Sequence, residues 1–501
     1  MSSVEKQNSQ QDLRQEDVLR PQFHFSPESH WANDPNGMVY YQGEYHFFYQ
    51  YHPDGMVWGP MHWGHAVSPD MVNWQYLPIA LYPDEHGMIF SGSAVVDWEN
   101  SAGFGKEALI IFYTASQVNP ENQNLAYSND RGRTWTKYSG NPVLPGPLGV
   151  RDFRDPKVFW YSENAAGHWV MCLAVGDAVR FYISSDLKNW KFGGTFGITY
   201  GSQEGVWETP DLFKLPVAGG SQTRWVLSVG VGSGGLGGPA GGSATQYFIG
   251  QFDGANFISD NPPETTLWAD YGADYYAAQS WSDAPDGRRL VLAWMNNWQY
   301  AVLVPASTWR GMFSLPRQLT LVPTEQGIRL VNQPVPELRS LRGKHIHLQD
   351  ETLIPGQNIL PGLEGDCLEI EAEFELNPEL TCFGFHLRVG PEQNTTIGYD
   401  TVTQKLFVDR THSGQIDFHK SFAGRHTVEL APKNGTIRLH IFLDRSSVEV
   451  FGNDGLAVIT DTIFPFSQDL GLDIFTESGK IKINYLDIFQ LNPARFGALE
   501  S

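Results

Sequence analysis

Short runs of alternating apolar and polar residues, separated by Gly, Pro, Asn and Asp, fill the chain from about residue 22 to residue 335. Alternation with a period of two predicts half-buried β-strands, and the separating residues favour tight turns. Helical periodicity is almost absent. This part of the chain is therefore predicted to consist of many short strands.

A weak repeat runs through this region. A Ser-x-Asp turn followed by Trp occurs at 68–74, recurs with one extra residue at 128–135, and recurs again at 184–190, at spacings of 60 and 56 residues. A repeat of this size fits one four-stranded propeller blade per copy, and about 310 residues at this spacing correspond to roughly five blades. Three unrelated hairpins would also account for three loose copies.

The pattern changes after the propeller region. Residues 336–362 are punctuated by Pro and Gly and are interpreted as a linker or a lead-in strand of the next domain. In residues 363–501, polar and apolar positions alternate over longer runs, such as 367–374 and 437–443, and predict half-buried strands of an antiparallel β-sandwich.

The predicted fold is therefore all-β, a five-bladed β-propeller over residues 21–335 followed by a β-sandwich. Residues 1–20 are polar and mixed in charge, and we expect a flexible arm there. Because residues 362–490 contain no Trp, the sandwich is predicted to pack against the propeller and not to bind carbohydrate on its own.

Composition narrows the classes of partner. The chain has 501 residues, which suggests two domains, and 13% of them are aromatic, as strands require. The formal net charge is −22, so the protein is expected to repel nucleic acid and anionic membrane surfaces. Oligomeric state is left open.

The three cysteines and the N-terminus carry little functional signal. Cys172, Cys367 and Cys382 lie in apolar, strand-like runs without CxxC spacing, so we expect core residues and neither a disulfide framework nor a metal site. As written, the chain has no signal peptide and no apolar run of 18 residues, which favours a cytoplasmic protein. An extracellular protein from which a leader had been removed would show the same sequence features.

Three carboxylates stand in similar surroundings. Asp34 lies in the sequence Asn-Asp-Pro-Asn-Gly, which is typical of a tight turn. Asp155 precedes Pro at the start of an aromatic strand, with Arg154 beside it, and Glu208 lies between Trp207 and Thr209 at another strand entry. Taken singly, each could be a structural turn or a surface ion pair. Inner strands of propeller blades begin at the central funnel, so the three carboxylates are predicted to converge.

Such a group of carboxylates suits glycoside chemistry. One ionised carboxylate can attack the anomeric carbon, while a protonated carboxyl donates a proton to the leaving oxygen. Aromatic faces stack on the CH surfaces of sugars, and an adjacent Arg keeps a carboxylate ionised and can bind hydroxyls.

Several longer motifs carry a family resemblance. The chain resembles the invertase, inulinase and levanase family of glycoside hydrolases (family 32), and the resemblance covers nearly everything beyond residue 20. The run 58–65 is most similar to the levanase and exo-inulinase branch. The motifs are His30-Trp-Ala-Asn-Asp-Pro-Asn-Gly37, Phe90-Ser-Gly-Ser93, Phe153-Arg-Asp-Pro156, Trp207-Glu-Thr-Pro-Asp211, Trp294-Met-Asn-Asn-Trp-Gln-Tyr300 and Asp444-Arg-Ser-Ser-Val-Glu-Val-Phe451.

The resemblance implies roles for individual residues. It assigns Asp34 as the nucleophile, Glu208 as the general acid/base and Asp155 as the group that binds fructose hydroxyls and stabilises the oxocarbenium-like transition state. Residues implied to hold the fructose are Asn33, Gln50, Trp58, Ser91 and Arg154, and those implied to wall the pocket are Trp31, Phe90 and Trp294. Trp294 could instead belong to the core.

The implied activity is that of a retaining exo-β-fructosidase acting on fructans with β-2,6 or β-2,1 linkages, fructo-oligosaccharides and sucrose, without a cofactor or metal. A fructosyltransferase like levan fructotransferase would use the same carboxylates. A propeller glycosidase acting on arabinose or xylose polymers and a non-catalytic fructan-binding relative are further alternatives. Two departures from the family pattern are Thr209, where the family usually has Cys, and Ala32, where Met or Leu is commoner.

Overall fold

The computed structural model describes residues 17–117, 120–163, 167–232 and 237–497. Apart from three short 3-10 helices, the regular structure of these residues consists of β-strands. The 3-10 helices span Pro285–Gly287, Ala301–Leu303 and Pro336–Leu341. Within the described residues, no helix has the length and apolar character needed to cross a membrane.

Residues 30–334 form five sheets, one per blade, and the strands of each blade pair antiparallel. Blade 1 is built of β1 (His30–Tyr41), β2 (Glu44–His52), β3 (His62–Ser68) and β4 (Gln75–Leu81). Blade 2 is built of β5 (Met88–Asp97), β6 (Ala108–Ser116), β7 (Asn122–Ser128) and β8 (Thr136–Lys137). Blade 3 is built of β9 (Phe153–Tyr161), β10 (His168–Val175), β11 (Ala178–Ser184) and β12 (Lys191–Phe196).

The remaining two blades follow the same plan. Blade 4 is built of β13 (Trp207–Pro216), β14 (Thr223–Val231), β15 (Ala244–Phe252), β16 (Phe257–Ser259) and β17 (Leu267–Trp268). Blade 5 is built of β18 (Tyr276–Ser280), β19 (Arg289–Met295), β21 (Met312–Phe313), β22 (Arg317–Thr324) and β23 (Gly327–Pro334). After β19 the chain crosses back to blade 1, where β20 (Trp309–Arg310) pairs in parallel with β1 and closes the ring. The predicted five-bladed propeller is confirmed.

The sequence repeat corresponds to the turn between the third and fourth strands of blades 1 to 3. In each copy the Ser hydroxyl donates a hydrogen bond to the Asp carboxylate two residues later, at 2.7–3.1 Å. The Trp indole then donates to a backbone carbonyl three residues earlier, at 3.1 Å. These contacts make each turn a self-contained unit, which explains why the pattern recurs once per blade.

The C-terminal half forms two sheets with a shared apolar core. The strands of the first sheet, in spatial order, are β24 (Arg342–Leu353), β34 (Ile481–Leu491), β25 (Leu368–Glu375), β30 (Thr436–Asp444), β31 (Ser447–Gly452) and β32 (Ala457–Thr462). Those of the second sheet are β29 (Arg425–Glu429), β28 (Lys405–His412), β27 (Asn394–Asp400), β26 (Cys382–Val389) and β33 (Gly471–Thr476). This is the predicted β-sandwich, and all three cysteines are buried, as expected of core residues.

The structure decides two boundary predictions. Of the two interpretations of 336–362, the structure supports the strand, because β24 within it pairs with β34 as an edge strand of the sandwich. Of the predicted arm, residues 1–16 lie outside the described residues. In residues 17–20, Leu19 is buried in an apolar cluster and Arg20 donates hydrogen bonds to Pro27 and Thr308, so these four residues are not a flexible arm.

Buried ion pairs join the propeller to the sandwich. Arg317 of blade 5 donates to Asp270 at 2.9 Å and also bonds Glu449 of β31. Arg410 of β28 donates to Asp274 of the propeller at 2.6 Å. All of these side chains are nearly or completely inaccessible to water. The sandwich is therefore docked on the propeller, as predicted.

His24 extends this interface. Its two ring nitrogens lie 2.8 Å from Asp444 and 2.9 Å from Glu449 of the sandwich. Burial opposes a charge on the imidazole, but the hydrogen bonds to the two carboxylates prevail and raise its pKa from 6.5 to about 9. The charged imidazole thus links the N-terminal segment to the Asp-Arg-Ser-Ser-Val-Glu motif at residues 444–449.

This imidazole should make stability depend on pH. Because the folded-state pKa is the higher one, the charged His24 contributes fully below pH 6.5, and its contribution disappears as the pH rises through about 9. The upper bound is on the order of 3 kcal/mol. We expect His24→Gln to be less stable than wild type at pH 6, with the difference in unfolding free energy shrinking by pH 9.5. Urea unfolding across this range measures it, and a difference independent of pH would contradict the charged state.

Candidate active site

The first strand of each blade, here called the inner strand, borders the central axis. The five inner strands are β1, β5, β9, β13 and β18, and each contacts the inner strands of neighbouring blades. Near its start, every inner strand shows a shift of register against the second strand of its blade. Such β-bulges re-aim side chains and are common beside active sites.

The bulges coincide with the candidate residues. The irregular positions include Asp34 in β1, Ser91 in β5 and Asp155 in β9, and the bulge of β13 directly follows Glu208. The predicted tight turn at Asn-Asp-Pro-Asn-Gly is wrong, because these residues lie inside β1 and the chain reverses later, between β1 and β2. The positive φ that this sequence tolerates is used within the strand, at Gly37 (φ 54°).

The bulged residues surround a cavity of about 370 Å³ at the axis. All three predicted carboxylates line it, together with six of the predicted sugar-binding or wall residues. The lining residues are Asn33, Asp34, Gln50, Trp58, Phe90, Ser91, Arg154, Asp155, Glu208 and Trp298.

Asp34 is held by two donors. The Ser91 hydroxyl donates to one carboxylate oxygen at 2.7 Å, and the Asn33 amide donates to the other at 3.1 Å. Asn33 is in turn fixed by the Trp31 indole, which donates to its carbonyl oxygen at 2.8 Å. Burial raises the pKa of Asp34, the two hydrogen bonds lower it, and the negative charge of Glu208 raises it further. The net pKa is above the ordinary range for Asp.

Glu208 lies between a cation and a phenol. Arg154 donates to one oxygen of Glu208 at 2.8 Å, and the Tyr276 hydroxyl donates to the other. Burial, followed by the charge of Glu208, raises the pKa of Tyr276 well above its usual value, so this hydroxyl stays protonated and remains a donor. Gly232 is required here, since a Cβ at that position would overlap the Glu208 carboxylate and the Tyr276 hydroxyl.

Asp155 is the most deeply enclosed of the three carboxylates. It adopts φ 65°, and one of its oxygens accepts a hydrogen bond from the backbone N–H of Thr209 at 2.9 Å. Burial raises its pKa well above the ordinary value although Arg154 opposes this, and Glu208 and Asp34 raise it further. Thr209, the departure from the family pattern, thus contacts the site through its backbone.

Arg154 balances only part of the negative charge of the carboxylates around the cavity. Its guanidinium bonds Glu208, Asp152 at 2.7 Å and Glu121 at 3.4 Å, so its charge is shared. With Asp34 and Asp155 nearby, the funnel carries an excess of negative charge. A developing positive charge at its centre would be stabilised electrostatically.

The structure corrects two wall residues. Trp31 and Trp294 do not line the cavity, because both are fully buried and their rings pack against Trp298 at centroid distances of 5.9 and 4.8 Å. Trp298 itself lines the cavity instead. Trp31 lies in β1, Trp294 in β19 and Trp298 beyond the end of β19, so the periodicity of a single strand could not show which indole faces the sugar site.

Sequence reasoning also missed residues that support the site. Tyr276 and Glu121 had no distinguishing local signal, since each acts through a contact with a distant part of the chain, whereas Asp152 contacts Arg154 two residues away. Trp298, by contrast, lies within the Trp294–Tyr300 motif and could have been proposed from it.

The comparisons with known proteins agree with this geometry. The model of the glycosyl hydrolases family 32 N-terminal domain matches residues 24–334, and that of the family 32 C-terminal domain matches residues 337–490. A levanase of Bacillus subtilis (strain 168) is 54% identical over 481 residues, which cover 94% of this chain and 70% of the relative. The extracellular exo-inulinase inuE of Aspergillus ficuum is 37% identical over 510 residues and is covered to 94%, as is this chain.

Solved structures give the same result. The crystal structure of exo-inulinase from Aspergillus awamori superposes with a TM-score of 0.88 at 36% identity and covers 95% of this chain and 98% of its own. A β-fructofuranosidase from Schwanniomyces occidentalis complexed with fructosyl-erythritol gives a TM-score of 0.87 at 30% identity, with coverage of 95% and 98%. With matching family models over both halves and a shared fold, this chain belongs to glycosyl hydrolases family 32.

Proposed function

We propose that the protein is a retaining exo-β-fructosidase that releases terminal fructose from fructans, fructo-oligosaccharides and sucrose. The observation that carries this proposal is the convergence of Asp34, Asp155 and Glu208, from three different blades, on one cavity of about 370 Å³. The similar proteins include levanases, exo-inulinases and a fructan beta-fructosidase.

The proposed roles of Asp34 and Glu208 give a reaction in two chemical steps. Asp34 attacks the anomeric carbon of the terminal fructose, and Glu208 transfers a proton to the leaving glycosidic oxygen as that bond breaks. Water then attacks the fructosyl-enzyme, Glu208 accepts its proton, and the bond to Asp34 breaks. Two displacements at the same carbon retain its configuration. The donors Ser91 and Asn33 orient the attacking carboxylate and stabilise it again when it leaves.

The other lining residues bind the sugar. The side-chain nitrogen of Gln50 is buried and has no hydrogen-bond partner among the described residues, so it is available to a hydroxyl of the substrate. Asp155 and Arg154 offer an acceptor and a donor beside it, and the rings of Trp58, Phe90 and Trp298 provide apolar surface. The surplus negative charge favours the oxocarbenium-like transition state.

Ser91 supplies a prediction about pH. Ser91→Ala removes a hydrogen bond that lowers the pKa of Asp34, so that pKa rises further. Asp34 must be ionised to attack, and therefore the acid limb of the pH profile of kcat/KM moves to higher pH. A hydrogen bond to a charged group contributes about 1.5–3 kcal/mol, so kcat/KM at neutral pH should also fall by about tenfold or more.

Steady-state initial rates on sucrose, measured between pH 3 and pH 8, would show this shift. Ser93→Ala is the matched control, because Ser93 lies two residues along the same strand and bonds the carbonyl of Pro156, outside the cavity. An acid limb that stays in place in Ser91→Ala would contradict the role of Asp34.

Time-resolved product analysis on levan, inulin and sucrose tests the function itself. Fructose as the only new product from levan and inulin at the earliest time points, with equimolar glucose from sucrose, is expected of an exo-hydrolase. Early oligosaccharides would show internal cutting, and fructosylated products or cyclic difructose would show a transferase. Either of these outcomes would overturn the proposal.

A further inference from the structure

Three of the sixteen tryptophans leave more than two fifths of their surface exposed. They are Trp58 (42%), Trp98 (45%) and Trp160 (47%). Trp58 lines the active-site cavity, where an aromatic face is needed for sugar. Trp98 and Trp160 lie together on the lining of a second cavity of about 340 Å³. Large exposed aromatic surfaces on a soluble protein commonly mark a binding site.

The second cavity lies at the far ends of the same inner strands. In β9 the active-site carboxylate is Asp155, whereas Trp160 lines the second cavity five residues later, about 16 Å further along the strand. In β13, Glu208 lines the first cavity and Phe213 the second. The two cavities therefore open at opposite ends of the propeller axis and do not share lining residues.

Neighbouring groups hold the two indoles in place. The Trp98 indole donates to Asp283 at 3.1 Å, and its ring lies 6.0 Å from that of Tyr41. The Trp160 ring packs edge-on against Trp169 with 5.1 Å between centroids. Rings that are fixed in this way lose little freedom when a ligand stacks on them.

Polar side chains complete the lining. The lining includes Ser162 and Ser282, the acidic residues Glu163 and Asp283, and the basic residues Lys157, Lys214 and Arg289. Groups of both charge signs are thus present beside the two apolar faces. This mixture does not suit a strongly charged ligand, but it suits a neutral polyol that offers CH faces for the indoles and hydroxyls for the polar groups.

We propose that this second cavity is a carbohydrate-binding site that holds a segment of the fructan polymer away from the catalytic cavity. The inference rests on the proposed function for the identity of the sugar. A polymer bound there is kept close to the enzyme, so further chain ends reach the active site at a raised effective concentration. A substrate as short as sucrose cannot span the two ends of the axis and gains nothing from the second cavity.

Native electrophoresis through gels that contain levan tests the site, because a protein that binds levan is retarded. The protein is made non-catalytic with Asp34→Asn, and excess sucrose is added so that the catalytic cavity is occupied. Levan should still retard this protein. Adding Trp98→Ala and Trp160→Ala should weaken the apparent affinity for levan by about fivefold or more, the loss that truncation of a contributing aromatic residue commonly produces.

Phe192→Ala is the matched control, because Phe192 is 60% exposed and lies on the outermost strand of the same blade as Trp160. It should leave the retardation unchanged. The inference is overturned if sucrose abolishes retardation entirely, if the two tryptophan substitutions change it no more than Phe192→Ala does, or if dextran retards the protein as strongly as levan.

Kinetics separate this inference from the proposed function. With Asp34 intact, Trp98→Ala/Trp160→Ala should keep the wild-type kcat and KM for sucrose, which also shows that it folds, and should have a raised KM for levan. The single variant Trp160→Ala should show a smaller change of the same kind. If the proposed function is wrong, wild-type protein cleaves neither levan nor sucrose. If only the inference is wrong, wild-type protein cleaves both and the variants match it on both.

Discussion

Asp34→Asn should lower kcat on sucrose and on fructans by a factor of about 10⁴ or more, the order of loss seen when a nucleophile is removed. The amide keeps the size of the carboxylate and its place beside Ser91 and Asn33, but it cannot form the fructosyl-enzyme. Substrate should still bind, so KM should change little. Initial rates on sucrose measure the loss, and retained turnover would refute the assignment of the nucleophile.

Glu208→Gln distinguishes the two roles. This variant retains Asp34, so a substrate with a good leaving group can still form the fructosyl-enzyme, but water then lacks its general base. Azide needs no base and should restore release of the sugar as fructosyl azide. This azide should keep the configuration of the substrate, whereas any fructosyl azide from Asp34→Asn would arise by direct displacement and be inverted. A retained azide from Asp34→Asn, or no azide from Glu208→Gln, would contradict the assignment. Asp54→Asn, a substitution of an exposed carboxylate outside the cavity lining, serves as the control.

Arg317→Met should destabilise the protein by about 3–5 kcal/mol, because it leaves Asp270 buried without its cation and leaves Glu449 with only the His24 imidazole. The effect should appear as a lower urea midpoint and as earlier separation of the sandwich from the propeller. Arg224→Met removes an ion pair with Asp260 at the surface and should cost less than about 1 kcal/mol. Equal costs for the two substitutions would show that the buried network does not hold the domains together.

Much of the site could be predicted because its chemically active residues lie in recognisable short sequence motifs. Asp34 and Asp155 each precede a proline within an aromatic strand, and Glu208 follows a tryptophan in the same kind of setting. The regular turn of each blade also repeats a self-contained hydrogen-bonded unit. These signals need no long-range information, and they led to both the fold and the carboxylates.

The rest depended on contacts between distant residues. Tyr276 bonds Glu208 across 68 positions of sequence, and nothing around it distinguishes it from the other tyrosines. The sequence Asp-Pro-Asn-Gly satisfies a tight turn and a bulged strand equally well, since both use a positive φ. Pairing with β2 selects the strand, and this pairing is a tertiary effect.

The parallel pairing of β20 with β1 has a consequence for refolding. It brings His30 against Trp309, which joins the start of the propeller to a strand that follows all five inner strands in the sequence. Since each blade delivers its own part of the active site, a chain with an open ring holds no complete catalytic centre. The return of enzymatic activity during refolding therefore reports closure of the ring. Spectroscopic signals also report blades that have formed but have not yet joined the ring.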